Sequence, residues 1–468
     1  MSDEPLILWF RRDLRLADQP MLAAAVATGR PLLPVFILDP ETDAIGAAPK
    51  WRLGLAVAAF AEALAGIGLR LVLRRGPALA ALRELVAETG AGGVWWSRAY
   101  DPASVARDSG IKAALQAEGR AARSFPGHLM HEPCDVATGQ GGFYRVFTPY
   151  WNAVLQRAVP APEPAPKVAQ GLKVWPTSDS LDDWHLGAGM NRGAAVVARY
   201  QVVGEAAARA RLHRFLSGPV QGYAERRDFP GVPGCSGLSE NLTYGEIGVR
   251  EVWHAGLRAR DEGKAGAEAF LRQLAWRDFS YHLIHHTPEI VSRNWKPGWD
   301  RFPWRGDNGD AESWRRGMTG EPFVDAAMRE MYVTGRMHNR ARMIAASYLT
   351  KHLLTDWRVG LDWFAECLTD WDPAANAMGW QWVAGSGPDA APFFRIFNPA
   401  GQAVRFDADT AYRRRFLAEL APGPEAMSFF DAVPRSWRLY ADAAYPLPLV
   451  DLAEGRARAL AALAEGKT

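Results

Sequence analysis

Residues 369–382, TDWDPAANAMGWQW, gather unusual chemistry into one short stretch. Asp370 and Asp372 stand two positions apart, Asn376 follows, and Trp371, Trp380 and Trp382 alternate with small residues. Carboxylates, an amide and indoles together suit a flat partner with apolar faces and a polar edge. Acid–base hydrolysis by the two aspartates would need a pocket that raises one carboxyl pKa, and nothing in the flanking sequence supplies it. A buried carboxylate must find a cation, and Arg342 is the candidate for Asp370.

A second polar group lies just upstream in RMHNRARM, residues 336–343. On a helix Asn339 and Met343 share a face, with Arg340 beside them and His338 and Arg342 on the adjacent face. Apolar residues interleave with Arg336, His338, Arg340 and Arg342, which argues against a plain solvated surface. A helical methionine taken alone is ordinarily core packing. His282, His285 and His286 have the spacing of helical metal ligands, but no zinc motif accompanies them, so they read as core or surface histidines and no metal is expected.

These groups need a scaffold. A chain of 468 residues implies two or three domains, and 48% hydrophobic with 23% charged residues is a normal globular balance. A net charge of +2 permits a nucleic-acid partner only through a local basic face. Three scattered cysteines, none in CxxC spacing, fit a reducing cytoplasm, and MSDEPLILWFRRD reads as neither a signal peptide nor a membrane span. Nineteen tryptophans can serve cores, aromatic cofactors or bases.

The short apolar runs LILWF (6–10), PVFIL (34–38), LRLVL (69–73) and GVWWS (93–97), with RAARSF (120–125), alternate with helical segments at 51–68 and 78–90. That alternation predicts a doubly wound parallel sheet over residues 1–130. No GxGxxG follows the first strand, which disfavours an ordinary dinucleotide site there. A connecting region follows over 131–205, with the Pro/Ala stretch VPAPEPAPKVAQG (159–171) extended. From 206 to 468 the pattern is all-helical, with helices expected at 267–286, 321–335 and 336–354.

The motifs WFRRDLRLADQ, GYAERRDFP, LAWRDFSYHL, MTGEPFVDAAMREM, MHNRARMIAASYL, DPAAN, GWQW and FFRIFNP occur in one order along nearly the whole chain. In that order the sequence resembles the DNA photolyase/cryptochrome family. The resemblance implies an α/β antenna domain and a helical FAD-binding domain. It also implies light-driven electron transfer from reduced FAD to a flipped-out pyrimidine dimer in DNA. The implied FAD contacts are Tyr223, Cys235, Ser236, Gly237, Leu238, Ser239, Phe270, Gln273, Arg277, Asn339, Arg342, Asp370, Asp372 and Asn376, with Asn376 beside flavin N5. Cys235 and Gly237 depart from a usual Thr and Arg, Phe270 from a usual Trp, and Arg336 stands where Trp is common.

On the substrate side, Trp276 and Trp382 match the indoles that wedge around the lesion, and Arg227, Arg340, Arg395 and Arg405 the DNA-binding mouth. Trp380, Trp357 and Trp304 match an electron relay from flavin to surface. Asn339 and Met343 are of the cyclobutane type, whereas Gln273 is what (6-4) enzymes carry in place of glutamate. Cyclobutane repair is therefore the expected activity, with (6-4) repair or blue-light signalling as the alternatives. The chain ends at RARALAALAEGKT, without the long C-terminal extension that would favour signalling. The antenna region SRAYDPASVARD (97–108) carries Ala103 and Ser104 where folate-binding members have Asn-Glu. 5,10-Methenyltetrahydrofolate is the expected second chromophore, with a deazaflavin, a flavin or none as alternatives. A monomer without membrane association is expected.

Overall fold

The computed structural model describes residues 4–389 and 394–465. Phe393, which opens the FFRIFNP motif, and residues 466–468 at the chain end lie outside the described residues. No helix among the described residues is long and apolar enough to cross a membrane.

The N-terminal domain is a five-stranded parallel sheet of β1 (Leu6–Phe10), β2 (Leu32–Leu38), β3 (Val72–Arg75), β4 (Gly93–Ser97) and β5 (Ala121–Phe125), ordered β3-β2-β1-β4-β5. Strands β1, β2 and β4 are buried along their whole length, because helices cover both faces of the sheet. Within β1 the alternation of side chains is explicit. Leu6, Leu8 and Phe10 enter one core, and Ile7 and Trp9 the other. Helices α1 (Pro20–Val26), α2 (Ala47–Ala65), α3 (Ala78–Thr89) and α4 (Pro102–Ala117) form the outer layers.

One strand departs from the sequence reading. The apolar run 69–73 suggests pairing from Leu69, but β3 begins at Val72. The Leu69 N–H is spent on the Leu64 carbonyl at 3.0 Å, closing the end of α2 through Gly68 at positive φ, so it cannot join the ladder.

The Pro/Ala stretch is extended and pinned rather than free. Ala169 N–H donates to the Ile67 carbonyl at 2.9 Å, and Leu32 N–H to the Gln170 carbonyl at 2.8 Å. The helical domain contains α5 (Phe147–Leu155), which the sequence reading left in the connecting region but which packs into the helical core, α6 (Glu205–Ser217), α7 (Val249–Asp261), α8 (Ala267–His286), α9 (Pro322–Thr334), α10 (Asn339–Ser347), α11 (Trp357–Cys367), α12 (Pro373–Ala384) and α13 (Pro399–Phe406). Helix α9 ends on Gly335 at φ +73°, a left-handed cap that suits glycine. The helix expected over 336–354 starts late, because the His338 ring nitrogen caps it by accepting from Arg340 N–H at 3.1 Å. It then widens into a π-type turn over Tyr348–His352.

The two domains are locked by a buried ion pair. Arg52 of α2 donates to both oxygens of Glu246, at 3.0 and 2.7 Å, and both side chains are fully buried. Gly245 lets the chains approach: a Cβ there would lie 2.3 Å from the Arg12 carbonyl oxygen, and its φ is +66°.

Candidate active site

Helix α12 is positioned by its first residues. Pro373 is preset for the first helical turn, and Asp372 caps it, one oxygen accepting from Ala374 N–H at 3.1 Å and Ala375 N–H at 2.9 Å. The other Asp372 oxygen receives the Tyr281 hydroxyl from α8. With the helix so fixed, Asn376 and Trp380 follow on one face, alongside Ala375, Gly379 and Val383.

That face meets Asn339, Arg342, Met343 and Ala346 of α10, and the two close a cavity of about 160 Å³ over Asp370 and Trp371. Arg342 Nη2 holds both Asp370 oxygens, at 2.7 and 2.8 Å, while its Nε donates to the Met337 carbonyl at 2.8 Å. The Asn376 amide nitrogen donates to the Leu361 carbonyl at 3.0 Å, which leaves its amide oxygen without a partner among the described residues. Two more wall residues, Trp371 and Trp380, bury indole N–H donors that have no acceptor among the described residues. Unsatisfied buried donors are uncommon in a finished core, and two of them stand on the wall of this one cavity.

Gly379 tests whether a flat ring system fits. A Cβ there would meet nothing within 4 Å, although the residue lines the cavity. The space is open, and a side chain would enter it. Gly379→Leu is therefore expected to leave the helical content of the apoprotein unchanged and to abolish retention of a bound aromatic cofactor, read by circular dichroism and by absorbance after purification.

The sequence-matched residues do not all reach this cavity. Asn339, Arg342, Met343, Asp370, Asp372, Asn376 and Trp380 line it. Arg277 does not: its guanidinium is occupied by the His128 carbonyl at 2.8 Å and by the His128 ring, which ties α8 to the α/β domain. Tyr223 and Phe270 pack edge to face at 6.0 Å in the neighbouring core. Residues 235–239 do not line the cavity either, though Cys235 approaches the residue that caps α10. Cys235 Sγ lies 3.8 Å from the His338 ring, and Thr243 Oγ1 donates to the Asp370 carbonyl at 3.3 Å.

Gln273 and Trp276 share a half-exposed face of α8. Phe147 of α5 lies flat against the Trp276 ring, centroids 3.7 Å apart and planes 8° apart. One indole face is thereby covered. Trp382 donates its N–H to the Asp389 carbonyl at 3.1 Å and carries the Arg395 guanidinium 5.7 Å from its ring. Arg340 and Arg405 flank the Phe406 ring at 4.3 and 5.0 Å, and Asp228 joins Arg340 at 2.7 Å to Arg227 at 3.9 Å. Arg227, Arg340 and Arg405 thus gather around Asp228 and Phe406, with Arg395 standing separately on Trp382.

Trp380, Trp357 and Trp304 sit on neighbouring elements. A Cβ on Gly360 would fall 2.0 Å from the Trp380 ring, so Trp380 rests on the helical turn that carries Trp357. A parallel bridge between Arg305 and Thr355 sets Trp304 beside the start of that helix. Trp357 and Trp380 are buried and Trp304 is half-buried.

A larger cavity, about 300 Å³, opens where the strand order reverses between β1 and β4, beyond the strands' carboxyl ends. Arg11, Arg12, Arg98 and Arg107 line it together with Ala103 and Ser104 of the 97–108 segment. Trp371 belongs to both cavities.

Residues 6–167 match the family model described as DNA photolyase, and residues 270–465 the one described as FAD binding domain of DNA photolyase. A deoxyribodipyrimidine photo-lyase from Agrobacterium fabrum is 45% identical over 100% of this chain and 99% of its own. The chain belongs to the DNA photolyase family. Among solved structures, a class III photolyase from Agrobacterium tumefaciens has a TM-score of 0.92 at 44% identity, covering 100% of this chain and 98% of that one. A Sulfolobus tokodaii photolyase solved with two FAD molecules has a TM-score of 0.80 at 26% identity, covering 98% and 99%. In this photolyase, sequence reasoning missed Phe147 behind Trp276 and Tyr281 on Asp372. Both partners lie far away in the chain, and nothing local announces them.

Proposed function

We propose that this protein is a light-driven cyclobutane pyrimidine dimer photolyase with FAD as its catalytic cofactor. The observation that carries the reading is the cavity wall, where the free amide oxygen of Asn376 stands with the Arg342–Asp370 pair. An amide oxygen accepts from a ring N–H, the form of the flavin edge after reduction. Bound FAD, once reduced, supplies an electron to the lesion under light and takes it back after the cyclobutane bonds split.

The protein's own residues bind and orient. Arg342 neutralises Asp370 and holds it in place, Asp372 fixes the axis of α12, and Asn376 presents an uncharged acceptor. Trp276 offers its uncovered face to a base, while Arg227, Arg340, Arg395 and Arg405 supply sequence-independent contacts to phosphates. Asn339 and Met343 face the lesion side in the cyclobutane pattern, and Gln273 is the contrary residue. Illuminating the reduced protein with each ultraviolet lesion in a defined oligonucleotide decides between them. Splitting of (6-4) lesions with cyclobutane dimers left intact would overturn the reading.

Trp380, Trp357 and Trp304 serve as the relay that recharges the flavin. Trp304→Phe is expected to keep the fold and the cofactor, to slow photoreduction of the oxidised protein, and to leave repair by chemically reduced protein intact. Absorbance under continuous blue light and a single-turnover repair assay read the two effects.

The larger cavity suits a second, light-harvesting aromatic chromophore: Phe36, Ile45, Leu53 and Trp371 line it, and of its four arginines three are already paired, Arg11 with Asp108, Arg98 with Glu132 and Arg107 with Asp39. 5,10-Methenyltetrahydrofolate is the reading for that site. Absorbance of the chromophore extracted from purified protein separates it from a deazaflavin or a second flavin.

A further inference from the structure

Beneath segment 235–239 one buried carboxylate serves two guanidinium groups. Glu240 is fully buried, with Arg336 Nε 3.0 Å from one oxygen and Arg211 Nη1 3.7 Å from the other. The adjoining Arg52–Glu246 pair is closed on itself, with Asn241 donating to Glu246 at 2.6 Å and accepting from Arg211 at 3.0 Å. Three cations in this cluster therefore share two anions. Burial, with the Arg336 cation as the next cause, pushes Arg211 down to about 10, the direction expected of a cation short of counter-charge. Leaving such a charge uncompensated is costly, so the cluster favours one more anion.

The backbone at Gly237 indicates where that anion belongs. Gly237 has φ +66°, and a Cβ there would lie 3.6–3.7 Å from Cδ, Nε and Cζ of Arg211. Arg211 Nη1 also donates to the Gly237 carbonyl at 2.5 Å. The guanidinium of a distant helix thus fills the space beside a residue that has no side chain of its own. Arg211 Nη2 and Arg336 Nη1 have no acceptor among the described residues.

We infer that Arg211 and Arg336 jointly bind the diphosphate of the dinucleotide cofactor beside Gly237, in place of a cationic side chain on the segment itself. This rests on the reading that segment 235–239 faces the phosphates of FAD. Arg211 reaches the segment from α6, and Arg336 from the turn before α10, so two separate elements converge on one anion.

The test titrates FAD and riboflavin into apoprotein, wild type and variant, following flavin fluorescence, with thermal melts to confirm folding. Arg211→Gln and Arg336→Gln should each weaken FAD binding on the order of tenfold, the scale of one charge-assisted hydrogen bond, and leave riboflavin binding unchanged. Arg211→Lys should retain most of the FAD affinity, since it keeps the charge. Arg336 is a quarter exposed, so its variant tests the inference even where Arg211→Gln unfolds. Equal losses for FAD and riboflavin, or no loss for FAD, would overturn the inference. A wild-type apoprotein that binds riboflavin but gains nothing from the phosphates of FAD would instead refute the placement of segment 235–239.

Discussion

Glu246→Ala is expected to cost the folded state about 3–5 kcal/mol, the penalty for leaving a buried cation unpaired. Arg52 would keep the Val202 carbonyl at 3.1 Å and the Tyr244 ring at 4.9 Å, and neither carries a charge. Gly204 N–H would lose its acceptor as well, and the Asn241 amide one of its two. Domains of ordinary stability have about 5–15 kcal/mol in hand, so the loss is a large fraction of the total. Denaturant unfolding monitored by tryptophan fluorescence measures it, and a second transition should emerge as the two domains part. The double variant Arg52→Met with Glu246→Leu should recover most of the loss, because an apolar pair of similar volume removes the stranded charge. A single-variant cost below about 1 kcal/mol would mean that water reaches Arg52 and that the interface is looser than its geometry implies.

Trp276→Ala should weaken binding of a dimer-containing oligonucleotide by about 1–3 kcal/mol, the scale of one base stacked on an aromatic ring. Binding to undamaged duplex should barely change, because that term is carried by phosphates and falls with salt. Arg340→Ala is the contrasting variant. It should weaken both ligands alike and flatten the salt slope, and it frees Asp228, which sharpens the loss. Phe147 extends the prediction: with its ring absent in Phe147→Ala, the Trp276 indole loses the surface that holds it flat, and lesion affinity should fall while salt dependence is kept. Gln273→Glu should improve cyclobutane repair, since a carboxylate accepts a stronger, charge-assisted bond from the thymine edge. Equal loss on both DNAs for Trp276→Ala would remove the indole from lesion recognition.

Strands β1 and β4 were legible because a parallel strand buried on both faces is a bare apolar run bounded by turn residues. LRLVL was misplaced, since the end of α2 takes the Leu69 N–H for its C-cap, a local backbone demand that hydrophobicity does not record. Helix α12 was not placed from the sequence, although its Asp-Pro start and the i, i+4 spacing of Asn376 and Trp380 carry the signal. What stayed hidden was everything that depends on two distant segments meeting. Arg211 under Gly237, Phe147 on Trp276 and Arg277 on His128 pair residues 26, 129 and 149 positions apart. The periodicity of one segment carries no information about which side chain of another will lie against it.

Trp371 is a partition with a room on either side. A chromophore in the larger cavity and a ligand in the smaller one would share Trp371 as a common wall. Excitation crosses short gaps far faster than most dyes emit, so a fluorophore seated there would stay dark while the far side is filled and brighten when it is emptied. Emission from the α/β domain would then serve as a gauge of occupancy in the helical one, legible in a cuvette without any DNA present.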